Sequence, residues 1–261
     1  MLAQDQIERF YEDGFLLGSR VLDDRQVDQL LRELHRVIED KDDLSKPQPV
    51  QIRNLSRESH LPVWQIVNIW QASIAYRQLI HQSVIVEEVA QLTGAAELRI
   101  WHDQIQYKPA EVGGVNMWHQ DAPYWPILTP DVQVTAWVAL DDVVPDNGCM
   151  SMVVGSHKWG DQAEFIHTFE GFDGLPTQFK DQPITSRLCP VSKGHVHYHH
   201  SLTWHASHHN TSSQPRRAIA LHYMPDSTRY NAAGDHAMKM FVTLTDGKKM
   251  QGDAFPRVWP K

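Results

Sequence analysis

Near Glu97 the hydrophobic rhythm of this chain changes from a helical period to an alternation of two, and that switch constrains the fold more than any other feature. Before it, Val27, Leu30, Leu31, Leu34, Val37 and Ile38 recur on one face over residues 24–40. With Asp23 or Asp24 in place to cap the first turn, the spacing predicts an amphipathic helix. Residues 4–12 read as a shorter helix stopped at Gly14, and residues 84–92 as a third stopped at Gly94, so helices are expected to dominate the first third. After the switch, alternating segments at 98–107, 132–140, 150–154, 194–200 and 218–223 are separated by Gly, Pro and Asn-Gly signals. Many short strands of this kind predict a β-sandwich or barrel, with Asn147-Gly148 as a tight turn.

The chain has 261 residues, enough for one sizeable core, and no Ser/Gly-rich or Pro-rich linker divides it. One domain over 1–261 is therefore expected, with helical support at 1–95, the stranded core at 96–225 and an extension at 226–261. Two stretches, 159–192 and 226–261, look irregular. Long irregular segments in compact domains are more often lids or binding loops than idle connectors, so both are expected near the open end of the barrel. Two cysteines, Cys149 and Cys189, do not make a disulfide framework, and a reducing compartment is the simpler expectation. The start, Met1-Leu2-Ala3-Gln4-Asp5-Gln6, lacks the features of a signal peptide, and no apolar run approaches membrane-spanning length. A soluble cytoplasmic protein, monomer or homodimer, is expected. The net charge of −8, with no basic block, argues against a nucleic-acid partner and leaves a small-molecule substrate.

Chemistry concentrates at His119-Gln120-Asp121, read with His205 and Arg216. His119 and Asp121 are two residues apart, so on an extended segment both project to one side and can chelate one ion. Completed by a distant His205, they offer two imidazoles and a carboxylate, the facial set that leaves adjacent positions open on Fe(II). The same donors suit a catalytic zinc hydrolase. Arg216 argues against that, because a hydrolase has no need of a cation that anchors a dicarboxylic cosubstrate by a charge-assisted fork. Arg217 would point to the other face of a strand, so only one of the pair reaches inward.

The ordered series of Gln104–Pro109, Met117–Asp121, Asn147–Met150 leading to Gly155–Lys158, and Leu202–Ser207 leading to Arg216 resembles the phytanoyl-CoA dioxygenase-like oxygenases. That family includes ectoine hydroxylases and antibiotic-tailoring enzymes. The resemblance implies a double-stranded β-helix, the cupin-like jelly roll, backed by amino-terminal helices on one sheet: a mainly β fold with flanking α. It implies Fe(II), 2-oxoglutarate and O2 as cofactor and cosubstrates. His119, Asp121 and His205 would hold the metal, Arg216 rather than Arg217 the far carboxylate, and Gln106, Trp137 and Ser207 would lie near 2-oxoglutarate. Trp137 has an alternative reading as ordinary sandwich core. Related halogenases carry Ala or Gly where Asp121 stands, so oxidation of a C–H bond is expected rather than halogenation.

His102, Gln104 and Gln106 alternate along one strand and should share its inner face if Gln106 does. Tyr124, Trp125 and Trp204, flanking the ligands, could wall a ring-shaped substrate, a set that suits a polyhydroxylated or glycosidic compound. The alternative is that Tyr124 and Trp125 anchor the loop after them. His195, His197 and His199 read as mostly solvated or hydrogen-bonded, His200 as the inward member by resemblance, and His208 and His209 as without a role. Hydroxylation is the expected reaction, with oxidative cyclisation, desaturation or epimerisation as alternatives within the class. A non-catalytic jelly-roll module holding a metal is the alternative outside it.

Overall fold

Gly14 takes φ +87, where residues with a Cβ are strained, and its N–H closes on Phe10 O at 2.8 Å, stopping α1 (Gln4–Asp13) and turning the chain straight into β1 (Phe15–Arg20). In the computed structural model, which describes residues 1–55 and 60–260, the helical face read from the sequence is α2 (Asp24–Glu39). Asp23 accepts from Gln26 N and Gln26 Oε1 accepts from Asp23 N, a complete capping box. Val27, Leu30, Leu34 and Val37 are its buried stripe, and truncating Leu34 to Ala would cost ~2–5 kcal/mol. After the strands β2 (Gln51–Asn54) and β3 (Trp64–Val67) come α3 (Ile74–Leu79) and α4 (Ser83–Thr93), the latter ended by Gly94 at φ +64. The first third thus contains three strands that the helical reading did not foresee. They are short, and all three extend a sheet whose centre lies far along the chain, β1 at one edge and β3 with β2 at the other.

The strands of three or more residues that follow are β4 (Leu98–Lys108), β5 (Asn116–His119), β6 (Val134–Ala139), β7 (Met150–Val153), β8 (Ser186–Cys189), β9 (His195–His200), β10 (His205–Ser207), β11 (Arg216–Pro225) and β12 (Arg257–Trp259). They form two antiparallel sheets. The larger has the order β1-β9-β6-β11-β4-β3-β2, with β12 on β4, and the smaller the order β8-β7-β10-β5. Alternation assigns the faces. Val134, Ala136, Val138, Leu140, Val196, Tyr198, Ile219 and Leu221 face the helices, while Trp137, Ala139, Ala218 and Ala220 pack with Met150 and Met152 of the smaller sheet. Helices, large sheet and small sheet therefore stack as layers of a cupin-like jelly roll, with the expected helical backing.

The irregular stretch 159–192 contains a helical turn, Ala163–Ile166, and β8. Its main packing is on the outer face of the small sheet, where Trp159, Phe165, Phe169, Phe172 and Phe179 meet Trp118 and Trp204. So many aromatic side chains must be buried, and the outer sheet face is where they find cover. The last segment, 226–260, packs Met238, Met250 and Phe255 against Trp101 and Trp125 at one end of the interior; Lys261 lies outside the described residues. Pro145–Asn147 forms a single tight turn in which Gly148, at φ +84, carries the left-handed conformation alone.

Candidate metal and cosubstrate site

β5 and β10 are paired neighbours with His205 opposite His119, and this register brings together two side chains separated by 85 intervening residues and one turn of the roll. Their rings lie 4.1 Å apart, centroid to centroid. Asp121 follows β5 directly, and its Oδ1 stands 3.9 Å from His119 Nε2 and 3.8 Å from His205 Nε2. The ligand atoms of the three residues all lie within 4.8 Å of one another. Each imidazole is turned by its other nitrogen: His119 Nδ1 bonds Met117 O at 2.7 Å and His205 Nδ1 bonds Thr203 O at 2.9 Å. Carbonyls only accept, so both Nδ1 atoms carry the proton and both Nε2 lone pairs face Asp121, the outer-sphere arrangement that orients metal-bound histidines.

Electrostatics agree with that assignment. Burial pulls His119 down to about 4, with His205 adding to the fall and Asp121 opposing it. Burial also lowers His205. Burial alone would raise Asp121, but His205, the hydrogen bond from His199 and the nearby His222 outweigh it and hold the carboxyl well below its usual range. Near neutral pH the set is two neutral imidazoles and one carboxylate, the protonation state a metal requires.

Along β11 the residues 216, 218, 220 and 222 share the inner face. Arg216 is fully buried and donates Nη2 to Ser207 Oγ at 3.4 Å, while its Nε and Nη1 meet no hydrogen-bond partner among the described residues. Its guanidinium carbon sits 5.5 Å from the Trp137 ring centroid. Trp137 packs in the inter-sheet core as well, so both readings of it describe the same ring. Burial lowers Arg216 to about 10, still charged at neutral pH. Arg217 points outward and forms a two-pronged pair with Asp141 at 2.7 and 2.8 Å. Lys108, opposite Arg216 in register, is also fully buried and donates to the carbonyls of Ser207 and His208. Burial drags its ammonium well below the usual range, with Arg216 adding to the effect. Lys108 is thus answered by carbonyls, whereas the Arg216 guanidinium keeps two donors free, the arrangement that suits a carboxylate.

At the other end of the interior, His102 and Gln104 line the inner face of β4, and Gln106 on the same face is half-buried, cross-strand from Ala218 and Gln65. Gln104 accepts from Gln65, which in turn accepts from Arg53. Trp125 is buried beside His222 and His102, with centroids at 4.7 and 5.6 Å. His236, from the last segment, stacks on His102 at 6.0 Å. Tyr124 is 53 % exposed at the rim, 6.2 Å from the His119 ring and 3.3 Å from His167 Nε2 of the aromatic loop.

Two sequence expectations are corrected here. Trp204 does not wall a substrate space: one residue before His205, it projects to the opposite face of β10 and is buried in the aromatic cluster outside the small sheet. His200 is not the inward member of β9; parity puts His197 and His199 inside, each 2 % exposed, and His200 on the other side near His157. The sequence reading also passed over Thr135, His222, Lys108 and His236. For the first three a signal existed, because each shares strand parity with a residue already assigned inward.

A His-His-Asp set with free imidazole lone pairs, half-buried at His119 and buried at Asp121 and His205, in a fold that also buries an arginine lacking an anion, defines a non-haem iron oxygenase that uses 2-oxoglutarate. The chain belongs to the phytanoyl-CoA dioxygenase family, whose model matches residues 10–218. A phytanoyl-CoA dioxygenase domain-containing protein 1 homolog from Caenorhabditis elegans is 23 % identical over 264 aligned positions, spanning 84 % of this chain and 90 % of that protein. Among solved structures, the non-heme α-ketoglutarate-dependent carbocyclase SnoK from nogalamycin biosynthesis is 26 % identical with a TM-score of 0.80, covering 98 % of this chain and 96 % of its own. The epimerase SnoN, solved in complex with Fe3+, α-ketoglutarate and nogalamycin RO, is 21 % identical with a TM-score of 0.74 over 98 % of each chain. Bound at such a site, iron and 2-oxoglutarate together activate O2 to oxidise a C–H bond as the cosubstrate becomes succinate and CO2. His119, Asp121 and His205 would hold the metal, and Arg216, with Ser207 and Trp137 around it, the cosubstrate's far carboxylate. No helix among the described residues is long and apolar enough to cross a membrane.

Proposed function

We propose that this oxygenase hydroxylates a C–H bond of a small, oxygen-bearing ring compound, with the substrate held at the His102 end of the interior. The observation that carries this reading is the lining of that end. Indole and imidazole faces from Trp125, His222 and His236 stand beside polar atoms that lack partners, His102 Nδ1 and His222 Nε2. Flat apolar faces suit a ring, and buried nitrogens without partners favour a ligand that can hydrogen-bond to them over a bare acyl chain. His102, Gln104 and Trp125 are the residues assigned to substrate, with Tyr124 at the rim. Gln106 stays assigned to the cosubstrate side.

Oxidative ring closure is the second reading. It is favoured by the likeness to a carbocyclase over nearly the whole of both chains. The two readings part on product mass. A screen of phenolic, polycyclic and glycosylated compounds would be scored by 2-oxoglutarate-dependent succinate formation. Gain of one oxygen in the product is the expected result; loss of two hydrogens would replace hydroxylation by cyclisation or desaturation. Turnover only with fatty acyl thioesters would overturn the substrate assignment. We place the reaction in the cytoplasm on the evidence of two buried, unpaired cysteines, and fractionation of the native protein tests that.

A further inference from the structure

We propose that His199 and Thr135 form a two-armed clamp on the outer oxygen of Asp121, keeping this carboxylate a one-oxygen ligand. The proposal rests on the metal-site reading above and adds residues that do not themselves contact the ion. His199 Nε2 and Thr135 Oγ1 each lie 3.2 Å from Asp121 Oδ2. An ionised carboxylate only accepts, so both neighbours must donate, and the lone pairs of Oδ2 are taken. Oδ1 is left facing the two free Nε2 atoms. Turning the carboxylate so that both oxygens met one ion would break two buried hydrogen bonds and leave their donors without partners.

The clamp is built by strand register. Thr135 on β6 is the cross-strand partner of His199 on β9 and of His222 on β11, so the three side chains form a row across neighbouring strands of the large sheet. Thr135 has one hydroxyl hydrogen. Since that hydrogen goes to Asp121, the 2.7 Å contact with His222 must be donated by His222 Nδ1–H, which fixes the threonine hydroxyl from behind. A ligand carried just after a strand of the small sheet is thereby locked to the large one. Functionally, a carboxylate confined to one oxygen leaves open the coordination positions that a chelating cosubstrate and O2 need.

The test uses the full chain, made metal-free and handled without oxygen. Fe(II) is titrated first; 2-oxoglutarate is then added to the loaded protein and followed by its visible charge-transfer band. Thr135→Val and His199→Phe remove one donor each at similar volume, whereas Thr135→Ser and His199→Gln keep a donor. We expect the first two to bind Fe(II) ~10–100-fold more weakly and to need more 2-oxoglutarate for the band, and the second two to stay close to the parent. Parent-like Fe(II) binding by Thr135→Val and His199→Phe would overturn the clamp. Loss of binding in Thr135→Ser as deep as in Thr135→Val, with circular dichroism unchanged, would overturn it too. A parent chain that binds Fe(II) but gives no band with 2-oxoglutarate would instead refute the oxygenase reading, while the Fe(II) titrations still decide the clamp.

Discussion

The two ends of the interior cleft are finished to different degrees. At the metal end, the atoms that orient the ligands are already engaged: Met117 and Thr203 carbonyls hold the imidazoles, and His199 and Thr135 hold the outer oxygen of Asp121. At the Arg216 end, a fully buried guanidinium keeps one bond, to Ser207, and leaves Nε and Nη1 without partners. An unpaired buried cation is costly, by several kcal/mol in effective terms, so the fold tolerates there what it avoids at the next residue, where Arg217 is paired with Asp141. The difference separates two kinds of preparation. Metal ligands need fixed direction, which the protein supplies by itself; a cosubstrate anchor needs an unanswered charge, which the ligand's carboxylate would neutralise on arrival.

The largest effect is expected where the finished end is broken. Asp121→Ala removes the only carboxylate of the ligand set, and Fe(II) binding should fall beyond the ~10–100-fold typical of residues that merely support a ligand. Succinate formation should become undetectable; normal output would break the metal assignment. Next comes the unfinished end. Arg216→Gln should raise the KM for 2-oxoglutarate by roughly 100-fold, on the scale of the ~2–5 kcal/mol lost when one partner of a buried charge pair is removed, with Fe(II) binding little changed. Arg217→Gln, measured alongside, should leave that KM unchanged and alter only stability, because it loses a pair at the edge of solvent. Equal effects from the two arginines would erase the comparison.

How much of this was legible in the sequence depended on whether partners are near in the chain or related by strand parity. His119 and Asp121 announce themselves because two-residue spacing already chelates, and strand parity allows only one of Arg216 and Arg217 to reach inward, the resemblance choosing Arg216. The same rule, applied to Trp204, places it opposite His205; chemical attractiveness had led the other way. His199 was hidden for a different reason. Its partner is 78 residues distant, and alternating histidines look the same on a solvated face as on a buried one. α1, α2 and α4 were readable from period and caps, whereas α3, with six residues, was not, and β2, β3, β5, β8 and β10, with three or four residues each, are too short to show a period and exist because longer neighbours pair with them.

The smallest expected effect is a slope, and it tests whether the inner imidazoles belong to the finished end. His197 is buried on the inner face of β9, stacked 5.9 Å from Phe15, and burial pulls it down to about 3, with His199 and His205 adding to the fall. Unfolded, it would titrate near 6.5. Above that value neither state binds the proton and the native state carries no penalty. As pH falls below it, the unfolded chain takes up a proton that the folded chain refuses, so stability declines through the window down to about 3, where the native form protonates. One such group contributes a slope of about 1.4 kcal/mol per pH unit. His197→Phe should therefore flatten the acid loss of stability of the metal-free protein by that amount, measured as the urea midpoint from pH 6.5 downward, without abolishing it. His200 and His222, each held at about 4 chiefly by burial, continue to oppose protonation. An unchanged slope would mean that His197 is solvated or paired in solution, and the inner face of β9 would then have to be counted with the unfinished end of the cleft.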